Sequence, residues 1–553
     1  MLDRDVVLST VSGAASTKPA LIRFFDDNVP AVSIITTKSF QVRPNPGNRE
    51  PVITEPQLGC FGNSVGLRNP GMDQALSEIK ALREGHSLRC LLNISVSASS
   101  IDDFVTLVRA FSPYADLIEL NFSCPHAASG YGSAIGGSAE IASSYVAGIR
   151  KGCPDLKCRL LAKLTPNVDD IASIAKAVID AGADGITAIN TAGPEVYQID
   201  GFKVLNNALG GKGGQSGRWI FEKACAAVKA IRCAIGKGPM IIGEGGVSSG
   251  ADAARLIQCG ADAIGIGSAL AMVRQQDWSS YLEAVRTEAR SIVQGKGALP
   301  EASLGFLDTT NRMEYVKHKV LKVVHHDEST VVITLDGKLD SNAGEFAFIW
   351  IPGSGEKPFS VATSTPLRFI IKKRGLFTER CMKLEEGDAV YVRGLYGKPA
   401  ELVPRPEAIL LAGGTGEAVL PELARALDNA GTSMRTYVGV TSCNGGIMED
   451  ELSAFGPYTA ISDDGMPGRV IDEIPVPEPE RTAVYIVGPE RFMAKAAMRF
   501  SSLGVSDDAI MISMEKNSMC GIGLCGECEM AGRLACQHGT FQSYAFLHSE
   551  GLL

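Results

Sequence analysis

No apolar run in the 553 residues approaches the roughly 20 that a bilayer-spanning helix needs. The opening Met1-Leu-Asp-Arg-Asp5 has none of the shape of a secretory signal, so a cytoplasmic location is expected. A long basic stretch is also missing. With 53 Lys and Arg against 62 Asp and Glu, the formal charge is -9, and nucleic acid is not an expected partner. No disulfide framework is visible either: of 14 cysteines, Cys60, Cys90, Cys124, Cys153, Cys158, Cys225, Cys233, Cys259, Cys381 and Cys443 are scattered, as core thiols are. Hydrophobic residues at 45% and charged residues at 21% fit a soluble globular protein. The chain is too long for one core; about 150 residues per domain predicts three or four domains.

The remaining four cysteines are concentrated. Cys520-Gly-Ile-Gly-Leu-Cys525-Gly-Glu-Cys528 is followed eight positions later by Cys536. Glycines at 521, 523 and 526 keep Cβ atoms out of the way, so four thiolates can wrap a small inorganic centre. The first three follow the C-x4-C-x2-C order of [2Fe–2S] ferredoxins, although the fourth arrives sooner than in the plant type. Four cysteines also suit tetrahedral Zn2+, but zinc usually prefers two short knuckles and only one clean pair is present. An iron–sulfur cluster moves single electrons, so other groups must supply and remove them.

From the N-terminus, short runs rich in Val, Ile and Leu alternate with stretches of helical period. The runs are Val6–Leu8, Val32–Ile35, Leu88–Ile94, Leu117–Leu120, Leu160–Leu164, Gly185–Ile189, Met240–Ile242 and Ala263–Ile266. Eight such units predict a closed (β/α)8 barrel. At the ends of the runs stand Ser12-Gly13, Lys38, Ser95, Asn121, Lys163, Asn190-Thr191, Gly245-Gly246 and Gly267-Ser268, which places polar groups on the rim where such barrels do chemistry. Glycines after the seventh and eighth runs offer bare N–H groups to an anion. Flavin mononucleotide (FMN) has one phosphate for such a cradle and a ring that wants cationic and N–H neighbours.

Asn121-Phe-Ser-Cys-Pro-His126 resembles the Asn-x-Ser-Cys-Pro-Asn loop of the class 1 dihydroorotate dehydrogenases. The likeness extends through Thr37-Lys38-Ser39, the loop Asn63–Gly71, Lys163-Leu-Thr-Pro-Asn167, Ala183-Asp-Gly185, Ile189-Asn-Thr191, Gly243-Glu-Gly-Gly246 and Gly267-Ser-Ala269. It implies that Ser12, Gly13, Lys38, Ser39, Asn121, Lys163, Gly217, Gly245, Gly246, Gly267 and Ser268 hold FMN. By the same resemblance Asn63, Gly66, Leu67, Asn121, Asn190 and Thr191 line the substrate ring, and Cys124 is the catalytic base. A loop thiolate can take the C5 proton of dihydroorotate if neighbouring cations lower its pKa, while the C6 hydride goes to the flavin. His126, expected among the substrate-binding residues, stands where the family places an Asn that hydrogen-bonds the pyrimidine, which leaves open a different hold on the ring or another substrate. The Gly-, Ser- and Ala-rich stretch Ala127–Gly137 reads as a lid.

Beyond Thr310 the rhythm changes. Lys319–Val324, Thr330–Thr334, Phe346–Ile351, Leu367–Ile371 and Ala389–Val392, separated by turn residues, predict an antiparallel barrel. Lys357-Pro358-Phe359-Ser360 resembles the Arg-Pro-x-Ser grip on flavin adenine dinucleotide (FAD) in ferredoxin-reductase-type domains, with Lys in place of the Arg fork. Gly375-Leu-Phe-Thr378 resembles their second phosphate segment, whereas Gly394-Leu-Tyr-Gly397 departs from the usual Gly-Pro-x-Gly. An apolar strand then runs into Gly413-Gly414-Thr-Gly416, followed by Asp463-Asp-Gly465 and Val487-Gly-Pro-Glu490, an order similar to the nicotinamide-binding half of those reductases. Residues 314–553 resemble the electron-transfer subunit of class 1B dihydroorotate dehydrogenase, which also closes its cluster with an early fourth cysteine. Here that subunit follows the catalytic barrel in one chain.

The expected fold is therefore α/β: a TIM barrel over 1–308, then a ferredoxin-reductase-like module with a FAD-binding antiparallel β-barrel over 312–404 and an NAD-binding α/β domain over 405–505. A small [2Fe–2S] domain over 506–553 would hold its cluster through Cys520, Cys525, Cys528 and Cys536. The resemblance implies dihydroorotate oxidation with electrons passing from FMN through the cluster and FAD to NAD+, and dimers through the barrel. Two alternatives stay open: a related flavoenzyme acting on another small ring or conjugated acid, and an electron carrier that feeds a partner protein.

Overall fold

The computed structural model describes residues 6–16, 18–122, 133–296, 302–440, 445–463 and 468–553. Cys124, His126, Gly465 and most of the stretch 127–137 lie outside the described residues. The chain divides into two compact units, Met1–Asn311 with Ile522–Arg533, and Arg312–Gly521 with Leu534–Leu553.

In the first unit eight parallel strands close into a barrel: β1 (Leu8–Thr10), β2 (Val32–Thr36), β3 (Leu91–Val96), β4 (Leu117–Asn121), β5 (Arg159–Lys163), β6 (Gly185–Ala188), β7 (Met240–Glu244) and β8 (Ala263–Ile266). Each neighbours the next in sequence, and β8 returns to β1. The eight predicted runs all become barrel strands, although the first is shifted, ending at Thr10 instead of Leu8.

Strand alternation puts two kinds of layer inside. Val7, Ile34, Leu117, Leu161, Met240, Ile242 and Ala263 form a buried apolar layer. One or two steps toward the C-terminal rim, the register aligns Ser9 with Gly265, Thr36 with Asn93, Lys163 with Thr187 and Glu244 with Gly265. The floor of the barrel is thus hydrocarbon, and the level beneath its mouth is polar.

The outer helices follow ordinary rules. In Ile101–Phe111, the Ser100 hydroxyl accepts from the Asp103 N–H, fixing the start, and Phe104, Leu107, Val108 and Phe111 recur at helical spacing and are buried. Burying four such side chains contributes roughly 1.5–3 kcal/mol each before entropy is counted. Gly250–Cys259 starts with a reciprocal capping box between Ser249 and Asp252.

A small antiparallel sheet that the sequence pattern does not announce stands beside the barrel. It pairs Ile53–Gln57, Cys60–Asn63, Lys212–Gly217 and Ala192–Val196 in that order. A Cβ at Gly217 would lie 2.2 Å from the Gly59 carbonyl oxygen, so the glycine there permits strands to approach.

The second unit contains two sheets. β9 (Val316–Asp327), β10 (Thr330–Leu335), β11 (Phe346–Ile351), β12 (Gly355–Ser360), β13 (Leu367–Lys372) and β14 (Ala389–Tyr396), with the short Thr363–Ser364, make a seven-stranded antiparallel sheet. It wraps one core that includes Val320, Ile333, Ala347, Ile349, Phe369, Ile371 and Val392. The second sheet holds β15 (Glu407–Gly413), β16 (Ser433–Val440), β17 (Tyr458–Ser462), β18 (Thr482–Val487), β19 (Ile510–Ser513) and β20 (Phe541–Ser543), in the order 17-16-15-18-19-20. All pairs are parallel except the edge pair β19–β20. This is a doubly wound order whose direction reverses at β15, and a crevice opens at the carboxyl end of such a strand.

Candidate active site

Part of the polar level of the barrel is a connected network. Asn121, last residue of β4, donates from Nδ2 to Ser39 Oγ at 3.0 Å. Ser39 Oγ lies 3.3 Å from Ser12 Oγ and 2.9 Å from Ser95 Oγ. Ser95 Oγ donates to Glu119 Oε1 at 3.0 Å. Lys163 Nζ is 3.8 Å from that same oxygen and 2.6 Å from Glu244 Oε1. The structure therefore brings together Ser12, Ser39, Asn121 and Lys163, four of the residues expected to hold FMN. Glu119 and Glu244 complete the network, and neither is picked out by sequence reasoning, because one acid inside an apolar run and one at its end give no sign of their buried partners.

The electrostatics of this trio are unusual. Lys163, Glu119 and Glu244 side chains are 5%, 1% and 7% exposed. Burial pushes the Glu244 carboxyl up to about 7; the Lys163 ammonium opposes that rise and the Glu119 carboxylate adds to it. A folded-state value above the ordinary 4.5 means that the folded protein holds the proton more tightly than the unfolded chain. This group's contribution to stability is fully present below about 4.5 and is lost as pH rises to about 7, a change on the order of 3 kcal/mol. Urea unfolding of the cofactor-free protein across this window should show that fall, and Glu244→Gln should flatten it.

Backbone geometry around the rim suits an anionic, flat ligand. Gly245 and Gly246 have φ of +125° and +81°, and a Cβ at Gly246 would meet the Gly217 carbonyl oxygen at 2.6 Å. A Cβ at Gly267 would strike Val11 at 2.4 Å, while Gly13, at φ +84°, faces open space. The N–H groups of Ser248 and Ser249 are taken by the Asp252 carboxylate and that of Gly250 by Glu288. The N–H groups at that helix start are therefore already taken by side chains. Within the barrel Asn93 Oδ1 and Thr187 Oγ1 are buried polar atoms with no hydrogen-bond partner. Such atoms fit a site completed by the polar atoms of a cofactor or water.

The loop expected to line the substrate is pinned by asparagines. Asn45 Nδ2 donates to the Gly66 carbonyl at 3.2 Å, Asn48 Nδ2 to the Ser64 carbonyl at 3.0 Å, and Asn69 Nδ2 to the Leu67 carbonyl at 2.8 Å. These bonds hold Gly66 and Leu67 at φ of +77° and +57° beside a cavity of about 590 Å³ that Asn45, Asn48 and Ser97 also line. Asn63 donates to the Gly214 carbonyl at 3.4 Å from the small sheet. After β6, Asn190 Oδ1 accepts from the Thr191 N–H at 2.8 Å, and Asn167 Nδ2 reaches the Thr191 carbonyl at 3.2 Å. Asn45 and Asn48 are thus supporting residues whose lone positions give no signal, whereas Asn167 ends the Lys163–Asn167 motif read in the sequence.

The segment Ile522–Arg533, remote in sequence, packs on the same barrel. The Ala15 N–H donates to the Leu524 carbonyl at 2.8 Å and Gln275 Nε2 to the Gly532 carbonyl at 2.6 Å. Lys18 Nζ donates to the Glu527 carbonyl at 3.0 Å. Glu527 Oε1 lies 3.7 Å from Lys38 Nζ and 3.6 Å from Arg68 Nε. Cys525 and Cys528 belong to this segment, whereas Cys520 and Cys536 belong to the second unit. Gly521, Gly523 and Gly526 all have positive φ, near +80°. Elsewhere burial pushes Cys158 up to about 11 and Cys381 to about 12, as expected of inert core thiols.

In the second unit Lys357, Pro358, Phe359 and Ser360 lie on β12, and Phe359 stacks on Phe377 at 6.2 Å between ring centroids. This brings the Gly375–Thr378 turn to the same place. Thr378 Oγ1 accepts from the Arg374 and Gly375 N–H groups, so the turn is self-capped. Gly413, Gly414 and Gly416 sit at the carboxyl end of β15, with Gly414 at φ +55° facing open space and Gly416 against Val487. The Val487–Glu490 stretch therefore meets the glycine turn, as a nucleotide crevice requires.

A family model described as dihydroorotate dehydrogenase matches residues 12–280. The catalytic subunit of dihydroorotate dehydrogenase B (NAD(+)) from Methanocaldococcus jannaschii is 38% identical over 237 residues, which cover 74% of that protein and 42% of this chain. This chain belongs to the dihydroorotate dehydrogenase family. The same subunit from Methanothermobacter thermautotrophicus is 35% identical over 243 residues, covering 74% of it and 43% of this chain. A solved NADH-dependent reduced ferredoxin-NADP oxidoreductase, studied for flavin-based electron bifurcation, is 25% identical, covers 41% of this chain and 88% of its own, and has a TM-score of 0.38. As a dihydroorotate dehydrogenase-like protein the chain is an oxidoreductase. Among the described residues no helix is long and apolar enough to cross a membrane.

Proposed function

We propose that the chain oxidises dihydroorotate to orotate in pyrimidine biosynthesis and delivers the electrons to NAD+ through groups held in the same polypeptide. The observation that supports this most is the packing on the barrel of Ile522–Arg533, the segment that carries two of the four clustered cysteines and sets Glu527 against Lys38 and Leu524 against Ala15. Ser12, Gly13, Lys38, Ser39, Asn121, Lys163, Gly217, Gly245, Gly246, Gly267 and Ser268 would hold FMN. Lys357–Ser360, Gly375 and Thr378 would hold FAD, Gly413, Gly414 and Gly416 would approach NAD, and Cys520, Cys525, Cys528 and Cys536 would bind iron. When bound, these groups supply two-electron acceptance at the barrel, single-electron relay, and two-electron delivery to the nicotinamide.

The protein's own part is positional. Asn63, Gly66, Leu67, Asn121, Asn190 and Thr191 orient the ring, and Cys124 takes the C5 proton. The pinned 63–69 loop spares the site the entropy of ordering on binding. Anaerobic assay should show dihydroorotate-dependent NAD+ reduction. Cys124→Ser should lower it about 10²–10⁴-fold at neutral pH, since a hydroxyl is a far weaker base. No turnover in protein loaded with all its groups would reject the proposal.

His126 favours one second reading, the same circuit serving another small cyclic or conjugated substrate. Titrating the bound flavin's spectrum with orotate separates the two, because absence of any perturbation at saturating orotate favours the other substrate.

A further inference from the structure

The polar level of the barrel carries more charge than the binding of a ring requires. Two carboxylates face one ammonium, all three are buried, and the full set of ionised groups would leave an uncompensated negative charge in a low-dielectric interior. The ionisable groups facing Glu244 are Lys163 from β5 and Glu119 from β4; at the same level β6 and β8 present Thr187 and Gly265. Gly265 makes the room: a Cβ there would lie 2.8 Å from the Glu244 Cβ and 2.9 Å from its Oε2. The fold therefore sets aside space for this acid.

We propose that Glu244 holds a buried proton beside Lys163, and that Glu119 and the Ser95 and Ser39 hydroxyls connect this store to the barrel rim. The hydroxyl chain is continuous, from Glu119 Oε1 to Ser95 Oγ at 3.0 Å, Ser39 Oγ at 2.9 Å and then Ser12 Oγ at 3.3 Å or Asn121 Nδ2 at 3.0 Å. Each hydroxyl can donate to one neighbour while it accepts from the other, so a proton can pass by reorientation of the chain.

The inference rests on the proposed oxidation, whose balance shows why a store is useful. Dihydroorotate becomes orotate by losing a proton from C5 and a hydride from C6. The hydride carries two electrons and a proton, and a single-electron relay removes electrons alone. Two protons must therefore leave the barrel for each pair of electrons. Cys124 accounts for the first, and the buried acid pair offers a route for the second that does not compete with the thiol.

The test reads the proton directly. Infrared spectra of the purified protein without substrate should contain the carbonyl stretch of a buried protonated carboxylic acid at neutral pH. Glu244→Gln, which imitates the neutral form and should fold, is expected to remove it. Transfer to D2O should shift the band, and Ser95→Ala, which interrupts the hydroxyl chain, should slow that shift at least tenfold. Absence of the band, or its persistence in Glu244→Gln, overturns the store; an unchanged exchange rate in Ser95→Ala overturns the path. Since no substrate is present, a protein that shows the band yet fails to oxidise dihydroorotate would count against the proposed reaction and leave the proton store standing.

Discussion

Lys163→Met is expected to lower the unfolding free energy of the barrel by about 3–5 kcal/mol, the usual cost of removing one partner from a buried ion pair. Met keeps the length and apolar stem of lysine, so the loss isolates the ammonium. Without it the Glu244 carboxyl keeps the burial and the repulsion from Glu119 that disfavour its ionised form and loses the cation that offsets them. The loss should therefore shrink at acid pH, where protonation removes the repulsion, and grow as pH rises. Adding Glu244→Gln should recover a large part of it. A double-mutant cycle of urea unfolding at two pH values reads both effects. FMN retention should also be lost in Lys163→Met, measured as flavin released from the purified protein; full retention with unchanged stability would contradict the place given to this lysine.

The second large effect is expected at Arg393, on the last strand of the antiparallel sheet. Its guanidinium is fully buried and makes a two-pronged pair with Glu356, Nε to Oε1 and Nη2 to Oε2, both at 2.7 Å. Nη1 donates to the Tyr396 hydroxyl at 2.7 Å and to the Cys520 carbonyl at 2.8 Å, and the plane lies 4.0 Å from the Phe348 ring centroid. Nη2 also reaches the Met519 carbonyl at 3.4 Å. The Tyr396 ring in turn comes within 2.7 Å of where a Cβ on Gly521 would stand, which explains the glycine after the first clustered cysteine. Arg393→Met leaves the Glu356 carboxylate with the Tyr315 hydroxyl but without its counter-charge and removes a donor from two carbonyls, so a loss of about 3–5 kcal/mol is expected. The backbone bearing Cys520 loses its anchor, and iron retained after anaerobic purification should fall well below that of the parent. Arg393→Lys should rank between them, because an ammonium keeps the charge without the fork. Unchanged iron content and unfolding midpoint in Arg393→Met would show that the guanidinium does not hold this segment.

What could be read from the amino-acid order was whatever repeats with a period. Parallel strands buried on both faces appear as runs of Val, Ile and Leu, so all eight barrel strands were visible. The apolar run points to a first strand two residues early, because Ser9 and Thr10 at its end are polar. Lys212–Gly217 and Gly355–Ser360 were not visible as strands. Their composition is glycine-rich or polar, and only their partners Cys60–Asn63 and Phe346–Ile351 make them strands. Most of the expected lid, Ala127–Gly137, lies outside the described residues, and Ser133–Gly136 within it forms a short helical turn. Strand-end residues were legible because barrel chemistry concentrates there, which brought out Ser12, Lys38, Asn121 and Lys163. Their buried counter-charges were not, because Glu119, Glu244, Glu356 and Arg393 acquire meaning only from groups tens to hundreds of positions away.

The central claim is that one chain couples a barrel-bound flavin to a second flavin through cysteine-held iron. Its most direct test is the cofactor inventory of protein purified without oxygen: flavins released by denaturation and separated, together with metal and acid-labile sulfide. FMN and FAD in equal amounts, with iron and sulfide in proportion, is the predicted result. A single type of flavin, or zinc where iron is expected, would contradict it.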